Sequence, residues 1–177
     1  MSWLSRVAQD KKVLFIGECG LDKLQGPDLV YQMFVLEYCI QLAESLRKPL
    51  VIHCVRAYEE LLSLIKKLQA SIPLIIHGFA RKPSVLAPLL KAGFFISYGT
   101  AILAPKSAAA QSLAQTPLEQ LFLETDDKVL PIADLYARAA QIKGISLEAL
   151  EAAIQSNWEQ LRGDKKINVH FTKGLDK

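Results

Sequence analysis

The sequence predicts an α/β fold built on a parallel sheet, and three observations carry that expectation. Five short apolar runs, at 13–17, 50–53, 74–77, 94–99 and 121–125, are rich in Val, Ile, Leu or Phe. They lack polar alternation, as strands covered on both faces do. A stretch with helical spacing of apolar residues follows each run, so the order is β-α five times over. The runs also lead into residues that can do chemistry: Glu18, His53, His77, Tyr98 and Asp126.

Each element has its own signal. Residues 2–10 place Trp3, Leu4 and Val7 on one face of a short amphipathic helix. VLFIG (13–17) is the first strand. Gly26-Pro27-Asp28 opens a long helix, with Pro27 at the first helical position, where its missing N–H is no loss. Val30, Phe34, Tyr38 and Leu42, joined by Val35 and Leu46, form its apolar stripe, and Pro49 ends it. Strand LVIH (50–53) precedes a helix over 57–69 that turns Leu61, Leu64, Ile65 and Leu68 inward. Pro73 precedes strand LIIH (74–77), and a helix near 83–92 ends at Gly93. FFISYG (94–99) is a strand, followed by an alanine-rich helix over about 106–114. LFLET (121–125) is the last strand; Gly144 stops a helix over 131–143 and Ser146 caps one over 147–161. The expected domains are therefore 1–162 and a polar tail, 163–177, whose one strand candidate is INVHF.

Composition removes several function classes. With 51% hydrophobic and 22% charged residues the chain is globular rather than disordered. A net charge of +3 permits nucleic acid as a partner without arguing for it, because the basic pairs are isolated rather than striped. Three cysteines without a C-x-x-C pair suit a reducing compartment. No apolar stretch reaches the ~20 residues of a membrane span, and residues 1–12 lack the apolar core of a secretory signal. The expected location is cytoplasmic. No G-x-x-x-x-G-K-[ST] or G-x-G-x-x-G motif supports nucleotide or dinucleotide chemistry, and Ser97 stands in no nucleophile elbow.

In a parallel α/β fold the strand C-terminal ends share one face, which carries the active site. Taken singly, each strand-end residue has an ordinary structural explanation: a core histidine, a loop glutamate, a helix-capping acid. Four strand ends delivering Glu18, His53, His77 and Asp126 to one rim, with two of the chain's three histidines among them, point instead to a shared metal site. Imidazole with carboxylate suits Zn, Mn, Fe or Ni, and a carboxylate-rich, watered version suits Mg. Hydrolysis is the reaction class such a site supports. Cys19 and Cys54, one residue beyond Glu18 and His53, are expected near each other as small buried thiols.

The segments IGECGLD (16–22), QMFVLEYCIQLAESLRKPLVIHC (32–54), IIHGF (75–79), AGFFISYG (92–99), LFLETD (121–126) and SNWEQL (156–161) together resemble the TatD family of metal-dependent deoxyribonucleases, within the amidohydrolase-like TIM barrels. The resemblance covers about residues 13–162. It implies DNA as substrate and a two-metal site for Mg, Mn or Zn. Glu18 would bridge, His53 and His77 would hold the second metal, and Asp126 would bind the first metal and orient or deprotonate the attacking water. Arg56 and Arg81 are candidate phosphate contacts, alongside their ordinary reading as surface arginines.

The chain departs from the family in one respect. Members carry an H-x-H pair on a first strand, and no H-x-H occurs here. Five βα units are present against the eight of a (β/α)8 barrel. The expectation is a partial barrel with two open sheet edges, which either self-associates through them or belongs to a longer product. It should bind one divalent metal with weak or absent nuclease activity. The tail strand could cover an edge and bring His170 toward the rim. Two alternatives stand beside a nuclease: an inactive protein that binds metal or partners only, and a hydrolase of another substrate class.

Overall fold

A computed structural model of the 177-residue chain describes residues 2–163. The expected strand and the histidine of the tail, INVHF and His170, lie outside the described residues. Five parallel strands run in sequence order across one sheet: β1 (Ile16–Asp22), β2 (Leu50–Val55), β3 (Leu74–Ile76), β4 (Phe95–Tyr98) and β5 (Leu121–Leu123). The helices are α1 (Ser2–Ala8), α2 (Leu29–Leu46), α3 (Tyr58–Leu68), α4 (Pro83–Lys91), α5 (Ala108–Gln115), α6 (Ile132–Lys143) and α7 (Leu147–Leu161). The fold is α/β and TIM-barrel-like, with β1 and β5 as the edges of the sheet among the described residues.

Three local expectations are corrected. The first strand begins at Ile16 rather than Val13 and runs through Glu18 to Asp22. Its polar residues stay extended because β2 pairs with them: Cys19, Gly20, Leu21 and Asp22 lie opposite Ile52, His53, Cys54 and Val55. Pro27 is not the first helical residue. Asp28 is the N-cap of α2, its carboxylate accepting from Tyr31 N at 2.9 Å, and a side chain that can satisfy an orphan N–H fixes the boundary more firmly than a preset φ. Glu18 and His53 lie within β1 and β2 rather than at their ends. The Cys19 thiol neighbours Cys39 of α2, and that contact together with burial raises its pKa. Burial pushes the Cys54 thiol up to about 12, and all three cysteines are free.

Side chains alternate across the sheet and build two cores. On β2, Leu50, Ile52 and Cys54 are buried under the helices, while Val51, His53 and Val55 face the opposite side. That inner side holds a smaller apolar cluster of Ile75, Phe95 and Leu161, packed with Phe15, Val51 and Phe122. Phe95 and Phe122 lie ring to ring at 5.6 Å, and Phe15 meets Trp158 of α7 at 5.2 Å. His53 and His77 follow Val51 and Ile75 by two residues, so both rise on the inner face directly above this apolar plug.

The sheet is strongly curled. Five flat strands would separate the two edges by about 19 Å at the usual ~4.8 Å spacing. Yet Glu18 on β1 and Asp126 just beyond β5 bring ligand atoms within 4.8 Å of each other. Two glycines let β1 approach β2 closely enough to begin that curl. A Cβ on Gly20 would stand 1.8 Å from the His53 carbonyl oxygen, and one on Gly17, at φ +140°, would stand 2.7 Å from Val51 O. Elsewhere polar side chains tie the helices down. Asn157 of α7 donates to Leu118 O at 2.7 Å and Leu121 O at 3.0 Å, fixing α7 beneath β5. Lys48 Nζ donates to the carbonyls of Ala8 and Asp10, closing the C-terminal end of α1.

Candidate metal centre

Glu18, His53, His77 and Asp126 come together at one end of the curled sheet. His53 sits within β2, three residues after Leu50, and His77 is the first residue past β3, its N–H continuing the ladder to Ile52 O at 3.2 Å. His53 Nδ1 and His77 Nε2 face each other at 3.1 Å, and His77 Nε2 lies 3.3 Å from Glu18 Oε2. Glu18, His77 and Asp126 offer ligand atoms that all fall within 4.8 Å of one another. Asp126 stands three residues past the end of β5, exposed, at φ 49° in the left-handed region that Asp tolerates.

The far side of each histidine ring rests on a carboxylate. His53 Nε2 lies 3.2 Å from Asp22 Oδ2, and His77 Nδ1 lies 3.5 Å from Glu124 Oε1. Leu24 N and Gln25 N donate to Asp22 Oδ1 at 2.7 and 3.1 Å, and Gly78 N donates to Glu124 Oε1 at 2.6 Å. These bonds set the charges. The Leu24 N–H and the His53 ring hold Asp22 below the ordinary carboxylate range. Burial works to raise Glu124, but hydrogen bonds from His77, Ser97 and Gly78 outweigh it and hold its pKa low. The Glu124 contact, with the Glu18 charge adding to it, raises His77 against the opposing effect of burial.

This donor set fits a divalent cation. The outer ring nitrogens face carboxylates, so in the tautomers that donate to them the inner two nitrogens turn lone pairs toward each other across 3.1 Å, a pairing that a cation between them would satisfy. Two donor atoms on one ion at ~2.0–2.1 Å stand about 2.9–3.3 Å apart in octahedral or tetrahedral geometry, which matches the 3.1 Å between the two ring nitrogens and the 3.3 Å between His77 Nε2 and Glu18 Oε2. Asp126 brings a carboxylate oxygen within 4.8 Å of the ligand atoms of both Glu18 and His77, close enough to join the set that would hold a cation. Carboxylate, histidine and metal in series is the usual outer support of such ligands.

Asp22 and Glu124 are the functional residues that sequence reasoning missed. Both lie inside segments already singled out, IGECGLD and LFLETD, but a carboxylate behind a ligand carries no pattern of its own. Arg56 and Arg81 are exposed on the loops after β2 and β3, at the same end of the sheet. Arg56 holds φ 56°, and Arg81 is anchored through its carbonyl, which accepts from Ser112 Oγ at 2.7 Å.

A family model described as TatD related DNase matches residues 1–163. The chain belongs to this family. Within it, the 3'-5' RNA nuclease TATDN2 of Homo sapiens is 41% identical over 130 residues, covering 70% of this chain and 17% of that protein. Deoxyribonuclease TATDN3 of Homo sapiens is 32% identical over 154 residues, covering 77% of this chain and 55% of that protein. The chain thus spans little more than half, or far less, of these relatives' lengths. The crystal structure of the TatD homologue YjjV from Escherichia coli K12 superposes with a TM-score of 0.81 at 24% identity, covering 90% of this chain and 68% of that one. The TatD fold is therefore retained in the part of the barrel present here.

Proposed function

We propose that the protein hydrolyses phosphodiester bonds of DNA at a divalent metal centre held by Glu18, His53, His77 and Asp126. The observation that carries this reading is the facing pair of ring nitrogens, His53 Nδ1 and His77 Nε2, 3.1 Å apart beside Glu18. Bound Mg, Mn or Zn supplies positive charge that polarises a phosphoryl oxygen and acidifies water. Asp126 takes the proton of the attacking water. Its exposure on the rim, within reach of Glu18 and His77, supports that role. Glu18 would help hold the cation with its carboxylate, and the apolar plug of Ile75, Phe95 and Phe122 keeps water from entering from below. Arg56 and Arg81 neutralise substrate phosphates from the loops above, a role supported by their exposure and charge.

The 41% identity to a protein named as an RNA nuclease favours RNA as the second reading. End-labelled single strands of DNA and RNA with matched sequence, incubated with Mn or Mg and with chelator, distinguish the two. Metal uptake without cleavage of either strand refutes the nuclease reading in favour of a metal-binding protein. Turnover of small esters or amides alone favours another substrate class.

Two further parts of the proposal concern the whole molecule. The protein self-associates through the β5 side of the sheet. An open groove of about 960 Å³ lies there, lined among others by Phe122, Leu123, Ile132, Tyr136, Leu147 and Trp158, and it includes none of the metal-centre residues. Ile132 and Leu147 are exposed beside the fully exposed Val129, the kind of patch that marks an interface. A clean monomer by light scattering at high concentration refutes this. The location is cytoplasmic, a reading supported by three free thiols. Among the described residues, no helix is long and apolar enough to cross a membrane.

A further inference from the structure

We propose that Gln32 is a positioning residue for the metal centre, acting through Asp22 on the ring of His53. Gln32 is 9% exposed, in the first turn of α2, and its carboxamide is fully engaged. Its Oε1 accepts from Asp22 N at 2.6 Å, and its Nε2 donates to Asp22 O at 2.9 Å, Gln25 O at 3.2 Å and Pro27 O at 2.7 Å. Both backbone groups of Asp22 are therefore held by one side chain.

The position gives the contact its purpose. β1 is an edge strand. Its next residue, Lys23, bonds inward to Val55 O at 3.1 Å, while the N–H and C=O of Asp22 turn outward to the open edge. On an edge such groups are left to water, and the strand end is free to fray. Among the described residues no strand pairs with that side of β1, and the Gln32 amide takes up the two groups there. Its remaining bonds clasp the loop at Gln25 and Pro27, the loop that supplies the Leu24 and Gln25 N–H donors to the Asp22 carboxylate. The carboxylate so fixed meets His53 Nε2 at 3.2 Å, which leaves His53 Nδ1 directed at His77. Gln32 thus selects the tautomer and aim of His53 without touching the ring. Every other polar contact of this side chain is spent on the same loop, so its chemistry has no second use.

The inference rests on the metal-centre reading, and its test separates the two. In metal-free protein labelled with 15N-histidine, long-range ring correlations report the proton on His53 Nε2. His53→Gln assigns the signal. In Gln32→Met, which keeps length and loses every bond, the His53 signal moves to a mixture of tautomers. Titration with Zn then shows about tenfold weaker binding, the low end for loss of outer support. Asp22→Ala weakens binding by at least as much, and the double variant binds within twofold of Asp22→Ala alone, because both changes break one chain of contacts. If Gln32→Met does not fold, Gln32→Glu serves. It retains an acceptor for Asp22 N and loses both N–H donors, and it must shift the same His53 signal.

Unchanged His53 tautomer and unchanged Zn affinity in a folded variant overturn the proposal and leave Gln32 a loop staple. Multiplying effects in the double variant overturn it equally. If the unaltered protein takes up no metal, the metal-centre reading fails, and the tautomer measurement still decides the role of Gln32.

Discussion

Glu124→Gln tests how much the carboxylate behind His77 contributes to the metal centre. The amide keeps the size of the side chain and an oxygen for Gly78 N, now 2.6 Å from Oε1, but removes the charge 3.5 Å from His77 Nδ1. At an effective dielectric of ~20 a unit charge pair at that distance attracts by about 5 kcal/mol before desolvation. Desolvation of both groups offsets much of it, and outer-shell carboxylates are typically worth about 10–100-fold in metal affinity, or roughly 1.4–2.7 kcal/mol. Competition with a chromophoric chelator at fixed pH reads that loss directly. The metal-free protein supplies an independent check. His77 has a raised pKa, with Glu124 as the largest cause. A raised folded value means that protonated His77 stabilises the fold fully below its unfolded pKa near ~6.5, and that this stability is lost as pH rises through the folded value. In Glu124→Gln this difference between acidic and alkaline denaturation midpoints shrinks. Metal affinity within twofold of the original, together with an unchanged pH dependence of unfolding, would refute the reasoning.

Three other outcomes are expected. His53→Ala removes a nitrogen ligand and lowers Zn affinity by at least about a hundredfold in calorimetric titration, because the remaining set is carboxylate-rich and suits harder ions. Gly20→Ala forces a methyl group to within 1.8 Å of His53 O; it destabilises the fold by about 3 kcal/mol or more in urea denaturation and impairs metal binding with it. Asn157→Leu strands the carbonyls of Leu118 and Leu121 in a buried site and lowers stability by about 2–4 kcal/mol in the same assay, with little direct effect on metal affinity measured in the folded protein.

The sequence made the sheet legible because its strands carry their signal locally. The runs at 50–53, 74–77 and 94–99 are apolar on both faces, and each became a strand within a few residues. Residues 16–22 hid theirs. Half of that strand is polar because its inner face lines the metal centre, and pairing with β2 decided the matter rather than any local preference. Parallel topology explains why residues near the strand C-terminal ends share one rim, and the loop after β5 carries Asp126 back toward Glu18 and His77. Asp22 and Glu124 were not legible. What distinguishes them from other loop acids is a ring nitrogen at 3.2 or 3.5 Å supplied by a different strand.

The curl that brings Glu18 to Asp126 also bears on folding. Glu18 belongs to the first strand and Asp126 to the loop after the last, so the two lie far apart in sequence. Contacts of such sequence separation form late, after nearer pairs have shortened the loop between them. The metal centre is then among the last features to assemble as the sheet rolls up, and it is absent from the folding transition state. A cation bound there should slow unfolding and leave the refolding rate almost unchanged. Stopped-flow kinetics with and without Zn would show the two arms of the chevron responding unequally.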